Sequence, residues 1–357
     1  MRILLLFIVL LMVLLSFYNF ITLYRPKKSS QASDHVAVLV PMRNERENVG
    51  ALITDLKNQV GVSGAHFYLL DDGSTDGTYG EAQLQIDNDP RFTLIEGKPL
   101  PPNWLGKPWA LSQLEEVSNE EIIVTIDADV RVENFALASA LTLLASSRLD
   151  FISPYPRQIA ESFIEKLIQP LIHWTWIATV PLRYASRAHR PSMAVANGQF
   201  FIVKRSALKE IGGFGAVKGE VLDDVMLART LIRSGFEGTA TEGASIASTR
   251  MYSSFQEICN GYGKSLWKAF GGKFGPYLAI AFIYFTSIYP FFLLTNGEFF
   301  GLLLSFYILI TRIVSAVIAR EKLRYTFFHP LSALIFIYII LYSVINHQRI
   351  MWKGRTL

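Results

Sequence analysis

The sequence predicts an α/β domain set between apolar helices at its two ends, and three observations carry that expectation. Long uncharged runs occupy both ends of the 357-residue chain. Short apolar strands alternate with helically spaced segments through the middle. Acidic clusters follow directly on two of those strands. Alternating strands and helices imply a mostly parallel sheet, and in such sheets ligands bind at the carboxyl ends of the strands.

The end segments come first. No charge falls between Ile3 and Tyr24, or between Phe274 and Gly297. Each run is long enough to cross a hydrocarbon core of ~30 Å as a helix. Phe299–Ala319, interrupted by Arg312, and Pro330–Asn346 follow. The first run exceeds a signal peptide's h-region of about 7–15 residues, and no small-residue cleavage site follows it, so it reads as an uncleaved anchor. Hydrophobic residues make up 51% and charged residues 18% of the chain, too apolar for an ordinary soluble domain. The expected organisation is an anchor over 1–24, a domain over 25–273 and a membrane region over 274–357 with two or three spans.

Positive flanks set an expected orientation. Arg25, Lys27 and Lys28 follow the first span, and Lys264, Lys268 and Lys273 precede the second. Such flanks stay in the cytoplasm, which places residues 25–273 there in a multi-pass cell-membrane protein. The tail residues Arg349, Lys353 and Arg355 would then lie outside, so either the last apolar segment stops short of crossing or the tail is an exception. The net charge of +4 suits an anionic membrane surface, and no basic-aromatic array suggests nucleic acid. The one cysteine, Cys259, excludes an internal disulfide and a cysteine-rich metal site.

Within the middle, His35–Pro41 reads as a buried strand and Asn44–Gln59 as a helix with Val49, Leu52, Ile53 and Leu56 on one face. His66–Leu70 is a second strand, stopped by Asp71-Asp72-Gly73-Ser74-Thr75-Asp76-Gly77. Phe92–Ile95 is a third, and Glu121–Ile126 a fourth that runs into Asp127-Ala128-Asp129. Ile164–Ala185, with Trp174, Trp176, Pro170 and Pro181, fits either a core helix broken by prolines or a helix in the membrane interface. Gly198–Val203 reads as a strand and Ser206–Ile211 as a short helix. Val221–Ser234 is a helix with Asp223 and Asp224 in its first turn and Gly235 as its stop.

Asp127 and Asp129 can face one hard cation, since Mg2+ and Mn2+ favour oxygen ligands and share substrate phosphates; the plainer reading is a solvated turn. Asp72 can accept a hydrogen bond from a base's ring N–H, or simply sit in a turn. Asp223 and Asp224 suit a helix N-terminus, and equally a general base. Lys107, Lys264 and Lys268 could neutralise a leaving diphosphate, or be interfacial lysines.

Taken together, these residues resemble the inverting, nucleotide-sugar-dependent glycosyltransferases of family 2. The resemblance runs through Val40-Pro41-Met42-Arg43-Asn44-Glu45, Asp71-Asp72-Gly73-Ser74-Thr75-Asp76, Asp127-Ala128-Asp129, Asn197-Gly198-Gln199 and Asp223-Asp224. Within the family, Trp104-Leu105-Gly106-Lys107, the Trp-rich stretch after Arg157 and Trp352-Lys353-Gly354-Arg355 are similar to the membrane members that glycosylate carotenoids, such as diaponeurosporenoate glycosyltransferases, and to hopanoid-associated ones. The resemblance implies a GT-A-type fold with N- and C-terminal transmembrane helices, a nucleotide-binding half over about 25–130 and an acceptor half over 131–273. It implies Pro41, Arg43, Glu45 and Asp72 around the nucleoside, with Asp127, Lys107, Gly198 and Gln199 also on the nucleotide sugar. It gives Asp129 the metal, Mg2+ or Mn2+, and Lys264 and Lys268 the diphosphate. Asp224 matches the family's base; Asp223 stands where the family has Glu. The stretch Asn260–Trp267 lacks the Gln-x-x-Arg-Trp motif of processive polymer synthases. The implied reaction moves a sugar, with UDP-hexose the expected donor, onto a bilayer lipid, a carotenoid or other isoprenoid. A polyprenyl-phosphate or glycolipid transferase is the nearer alternative. A membrane-bound Asp-x-Asp phosphatase is the farther one, although such enzymes carry Thr or Val where this chain has Arg131. A non-enzymatic membrane scaffold would bind no donor.

Overall fold

The computed structural model describes residues 2–29, 31–32 and 35–346, together with the backbone of 351–352 and 355–356. The tail charges and the Trp352-Lys353-Gly354-Arg355 motif lie outside the residues whose side chains are described. The chain divides into two compact units: Met1–Leu23, Gln158–Pro181 and Arg250–Leu357 form the first, Tyr24–Arg157 and Leu182–Thr249 the second.

The second unit is built on β1 (Val36–Met42), β2 (Ala65–Asp71), β3 (Phe92–Glu96), β4 (Ile122–Ile126), β5 (Val130–Val132) and β6 (Phe151–Tyr155). After β7 (Arg157–Gln158) come β8 (Phe200–Lys204), β9 (Gly238–Glu242) and β10 (Ala247–Thr249). Among the described residues the main sheet has seven strands in the order β3-β2-β1-β4-β8-β6-β9. Its first half is parallel, as expected; β8 then runs antiparallel to both β4 and β6.

Side chains alternate across a strand, and here the alternation builds two cores. Val36, Val38, Val40 and Met42 face one layer, packed against the Arg46–Lys57 and Ala136–Ser147 helices. Ala37 and Leu39 face the other, with the Gly106–Val117 and Asp223–Arg233 helices. Val49, Leu52, Ile53 and Leu56 are all fully buried, and each such large apolar side chain contributes about 1.5–3 kcal/mol by leaving water. This layering puts the N-termini of the 106–117 and 223–233 helices on one face of the sheet.

Among the described residues the first unit has four helices long and apolar enough to cross a membrane: Arg2–Thr22, Gly275–Thr295, Phe299–Ile318 and Leu323–Asn346. Gly275–Thr295 contains a π-helical segment over Tyr284–Ile288. Gly301 explains the tight hairpin that follows, because a Cβ there would lie 2.3 Å from the Leu294 backbone nitrogen. Arg2 pairs with Glu298 at 2.6 Å, so the start of the first helix and the Asn296–Glu298 turn share one end of this unit.

The unit boundary differs from the contiguous 25–273 domain expected above. Phe163–Ile177 is one helix that continues through Pro170, and it packs among the apolar helices. Trp174 is 2% exposed, which makes it a core residue of that unit. Asn19, buried in the first helix, donates to the carbonyls of Ile177 at 2.8 Å and Val180 at 2.7 Å. It thereby closes the C-terminus of the 163–177 helix. Cys259 is buried and free.

Candidate active site

The second unit gathers its chemistry at the carboxyl ends of β1, β2 and β4. Met42 is in register with Asp71, so the segments leaving these two strands emerge side by side. Arg43 turns onto its neighbour: its guanidinium donates to the Asp72 carbonyl and lies 3.8 Å from the Asp72 carboxylate. Asp72 is 5% exposed. Asp71 serves the turn itself, accepting from the Ser74 N–H and hydroxyl. Pro41, on β1, is half-buried. Asn44 and Glu45 are tied across to the second loop: the Asn44 N–H donates to Ser74 Oγ at 2.9 Å, and the Glu45 N–H to Thr78 Oγ1 at 2.8 Å. The two loops therefore form one braced wall.

The other wall comes from the return of β8. Because β8 is antiparallel to β4, with Ile126 opposite Phe200, the start of β8 lies beside the end of β4. The Asp127 N–H donates to the Gln199 carbonyl at 3.1 Å. Asn197 and Gln199 are buried braces, with Asn197 Nδ2 donating to Gln199 Oε1 at 3.1 Å and Asn197 bonded through its backbone to Ser153. The Gln199 side chain thus faces the protein interior, where the resemblance implies a contact with the nucleotide sugar.

Lys107 connects the parts. It opens the 106–117 helix and pairs with Asp127 Oδ1 at 2.5 Å, and its ammonium also donates to the Gly198 carbonyl at 3.1 Å. From the same residue, the Gly198 N–H donates to Asp224 Oδ2 at 2.7 Å, while Asp224 Oδ1 accepts the Val225 N–H. Gly198 suits this close approach. A Cβ there would sit 3.0 Å from the Lys107 nitrogen and 3.2 Å from Asp224 Cβ. Lys107, Thr125, Gly198, Asp223 and Asp224 line a pocket whose remaining walls are Leu111, Phe201, Phe214, Val217 and Leu227.

Charge in this pocket is unbalanced. Burial pushes Asp223 and Asp224 above the ordinary aspartate range, Lys107 opposes that shift, and Asp127 adds to it for both. Burial alone would weaken the Lys107 ammonium, but Asp127, Asp223 and Asp224 outweigh it and hold the group firmly protonated. A carboxylate pair beside an apolar wall is a setting in which proton affinity is tuned upward.

Asp129 stands half-buried on the turn after β4. Among the described residues no group of three His, Cys, Asp or Glu side chains could hold a metal unaided. Arg131 points away to Asp55 in a two-bond pair at 2.6 and 2.7 Å. Lys264 and Lys268 belong to the first unit, at the C-cap of the Phe255–Gly263 helix and in the Leu266–Ala269 helix.

The fold is of the GT-A type. Across 97% of both chains the structure is similar to a mannosyltransferase of Pyrobaculum calidifontis, solved in complex with GDP-Man and Mn2+, at 18% identity and a TM-score of 0.57. Glucosyl-3-phosphoglycerate synthase of Mycobacterium tuberculosis, solved with Mn2+, uridine-diphosphate and phosphoglyceric acid, gives 17% identity and a TM-score of 0.47 over 70% of this chain and 85% of that one. The sequence model of Glycosyl transferase family 2 matches residues 37–212. It is similar to 4,4'-diaponeurosporenoate glycosyltransferase of Staphylococcus haemolyticus, with 22% identity over 243 residues. That match covers 67% of this chain and 63% of the relative's length.

Proposed function

We propose that the protein transfers a sugar from a nucleotide-sugar donor, a UDP-hexose, to an isoprenoid lipid of carotenoid type by inverting single displacement. The observation that carries the reading is the Lys107–Gly198–Asp224 connection, which sets a cation, a proton acceptor and the end of β4 around one pocket. The family match and the carotenoid-acting relative support it.

In this reading Pro41, Arg43, Glu45 and Asp72 receive the nucleoside, with the Asp72 carboxylate accepting a ring N–H from the base. Lys107 holds Asp127 beside the sugar and places positive charge next to the departing diphosphate. Asp224 takes the proton of an acceptor hydroxyl, since each of its oxygens keeps a lone pair beyond the backbone N–H it accepts. An acid acceptor would already be ionised at neutral pH, and Asp224 would then orient it. Asp129 is the residue assigned to Mg2+ or Mn2+, and the donor set fits. One carboxylate on a turn is a usual protein share when phosphates and waters complete an octahedron. When bound, the ion would neutralise charge on the diphosphate. Positive flanks at 25–28 and 264–273 support a cytoplasmic site in a multi-pass membrane protein.

The test is which product leaves. The full-length protein in bilayers is expected to release nucleoside diphosphate from a nucleotide sugar, and to release it faster when isoprenoid lipid is present. Release of inorganic phosphate from a sugar phosphate, with no acceptor, would assign phosphatase chemistry instead.

A further inference from the structure

The first unit buries a polar cluster around one arginine that sugar transfer does not use. Arg312, on the Phe299–Ile318 helix, is 1% exposed. Its Nη1 donates to the Pro170 carbonyl at 2.7 Å, while its Nε finds no acceptor among the described residues. None of the ion pairs among those residues includes it. His329 opens the His329–Asn346 helix, is fully buried, and has both ring nitrogens unpartnered among the described residues. Ser332, in the first turn of the same helix, is also fully buried with its hydroxyl unbonded.

These groups are neighbours. Trp174 Nε1 donates to Thr311 Oγ1 at 2.7 Å, and Thr311 precedes Arg312. The Trp174 ring meets the His329 ring edge-on at 4.9 Å. The charge of Arg312 acts on His329 and on His173, and the acid whose charge reaches Arg312 is Glu321.

Leaving buried donors unbonded is costly, and an ionisable residue inside a membrane bundle marks a site with a partner. The chemistry of the cluster defines that partner. Arginine offers donors only, and serine and histidine can each add a donor. The complement is a compact, acceptor-only anion. Among the described residues this unit includes four helices of membrane-spanning length, so a ligand reaching its interior arrives with an alkyl chain.

We propose that Arg312, His329 and Ser332 form a binding site for the anionic headgroup of a bilayer amphiphile, a carboxylate or a phosphate monoester. The inference is independent of the transfer reading and can fail without it.

The test uses full-length protein in neutral phosphatidylcholine nanodiscs and three probes of equal chain length: hexadecanoate, hexadecyl phosphate and hexadecanol. At least one anionic probe is expected to bind ~10-fold or more tightly than the alcohol. Arg312→Gln is expected to erase that preference, and Ser332→Ala to reduce it ~3-fold or more. Preference for hexadecanoate would identify a carboxylate ligand, and preference for hexadecyl phosphate a phosphate ligand; either supports the site. Equal binding of all three probes by the unaltered protein would overturn it, whatever the stability of the variants. So would a preference that survives in folded Arg312→Gln. Nucleotide-sugar binding, measured alongside, is expected to stay unchanged.

Discussion

Asp129→Ala is expected to lower both sugar transfer and slow donor hydrolysis by at least ~1,000-fold. Asp129 lies on the turn that β4 runs into, two residues past Asp127, which is engaged by Lys107. In the proposed reading Asp129 holds the divalent ion, and removing it uncouples the ion from the diphosphate. Stability should change by no more than about 1 kcal/mol, because the residue is half-buried on a loop and belongs to neither hydrophobic core. Kinetics and thermal unfolding, measured on the same preparation, separate the two effects. Excess chelator should reproduce the loss in the unaltered protein. Full turnover in chelator would remove both the ion and this role for Asp129.

Asp224→Asn is expected to cut transfer to a hydroxyl acceptor by ~100–10,000-fold, the range of a general base, with little change in donor KM. The pH profile gives an independent reading. Burial raises Asp223 and Asp224, against Lys107, and the base acts when deprotonated. Transfer should therefore fall on acidification along a limb above the ordinary aspartate value of about 3.9. Lys107→Met removes the opposing charge and should move the limb to still higher pH. The same shift has a sign for stability. The folded state binds more protons than the unfolded chain, so the contribution of these carboxylates declines as pH rises from about 3.9 through their folded values. An acidic limb at the ordinary aspartate value would show that the pair takes no part in proton transfer.

Much of the sheet was legible because its strands are short, apolar and bounded by acidic or glycine-rich turns. β1, β2, β3 and β4 fall within a residue or two of the expected segments. The buried face Val49, Leu52, Ile53 and Leu56 was readable from helical spacing alone, since that face has one core to meet. The antiparallel return of β8 was not readable, because direction within a sheet depends on the whole connection and not on the strand's own residues. That return brings Asn197-Gly198-Gln199 beside Asp127. The tie between Lys107 and Asp224 through the backbone of Gly198, 91 and 26 residues away respectively, is invisible to local spacing. The core of the first unit was also hidden. The 163–177 helix has 15 residues, shorter than a span, and only packing reveals that Trp174 and Asn19 serve that core rather than a surface. A signal for Arg312 was present as the charge interrupting the third apolar run; its burial was not.

The central claim is that sugar passes from a soluble nucleotide to a lipid. Full-length protein in bilayers containing isoprenoid acids and alcohols is given a nucleotide sugar labelled in the sugar, and the reaction is partitioned between organic and aqueous phases. The account predicts label in the organic phase, attached to the isoprenoid, with none there for Asp129→Ala. Label confined to a water-soluble glycoside, formed equally well without the bilayer lipid, would contradict it.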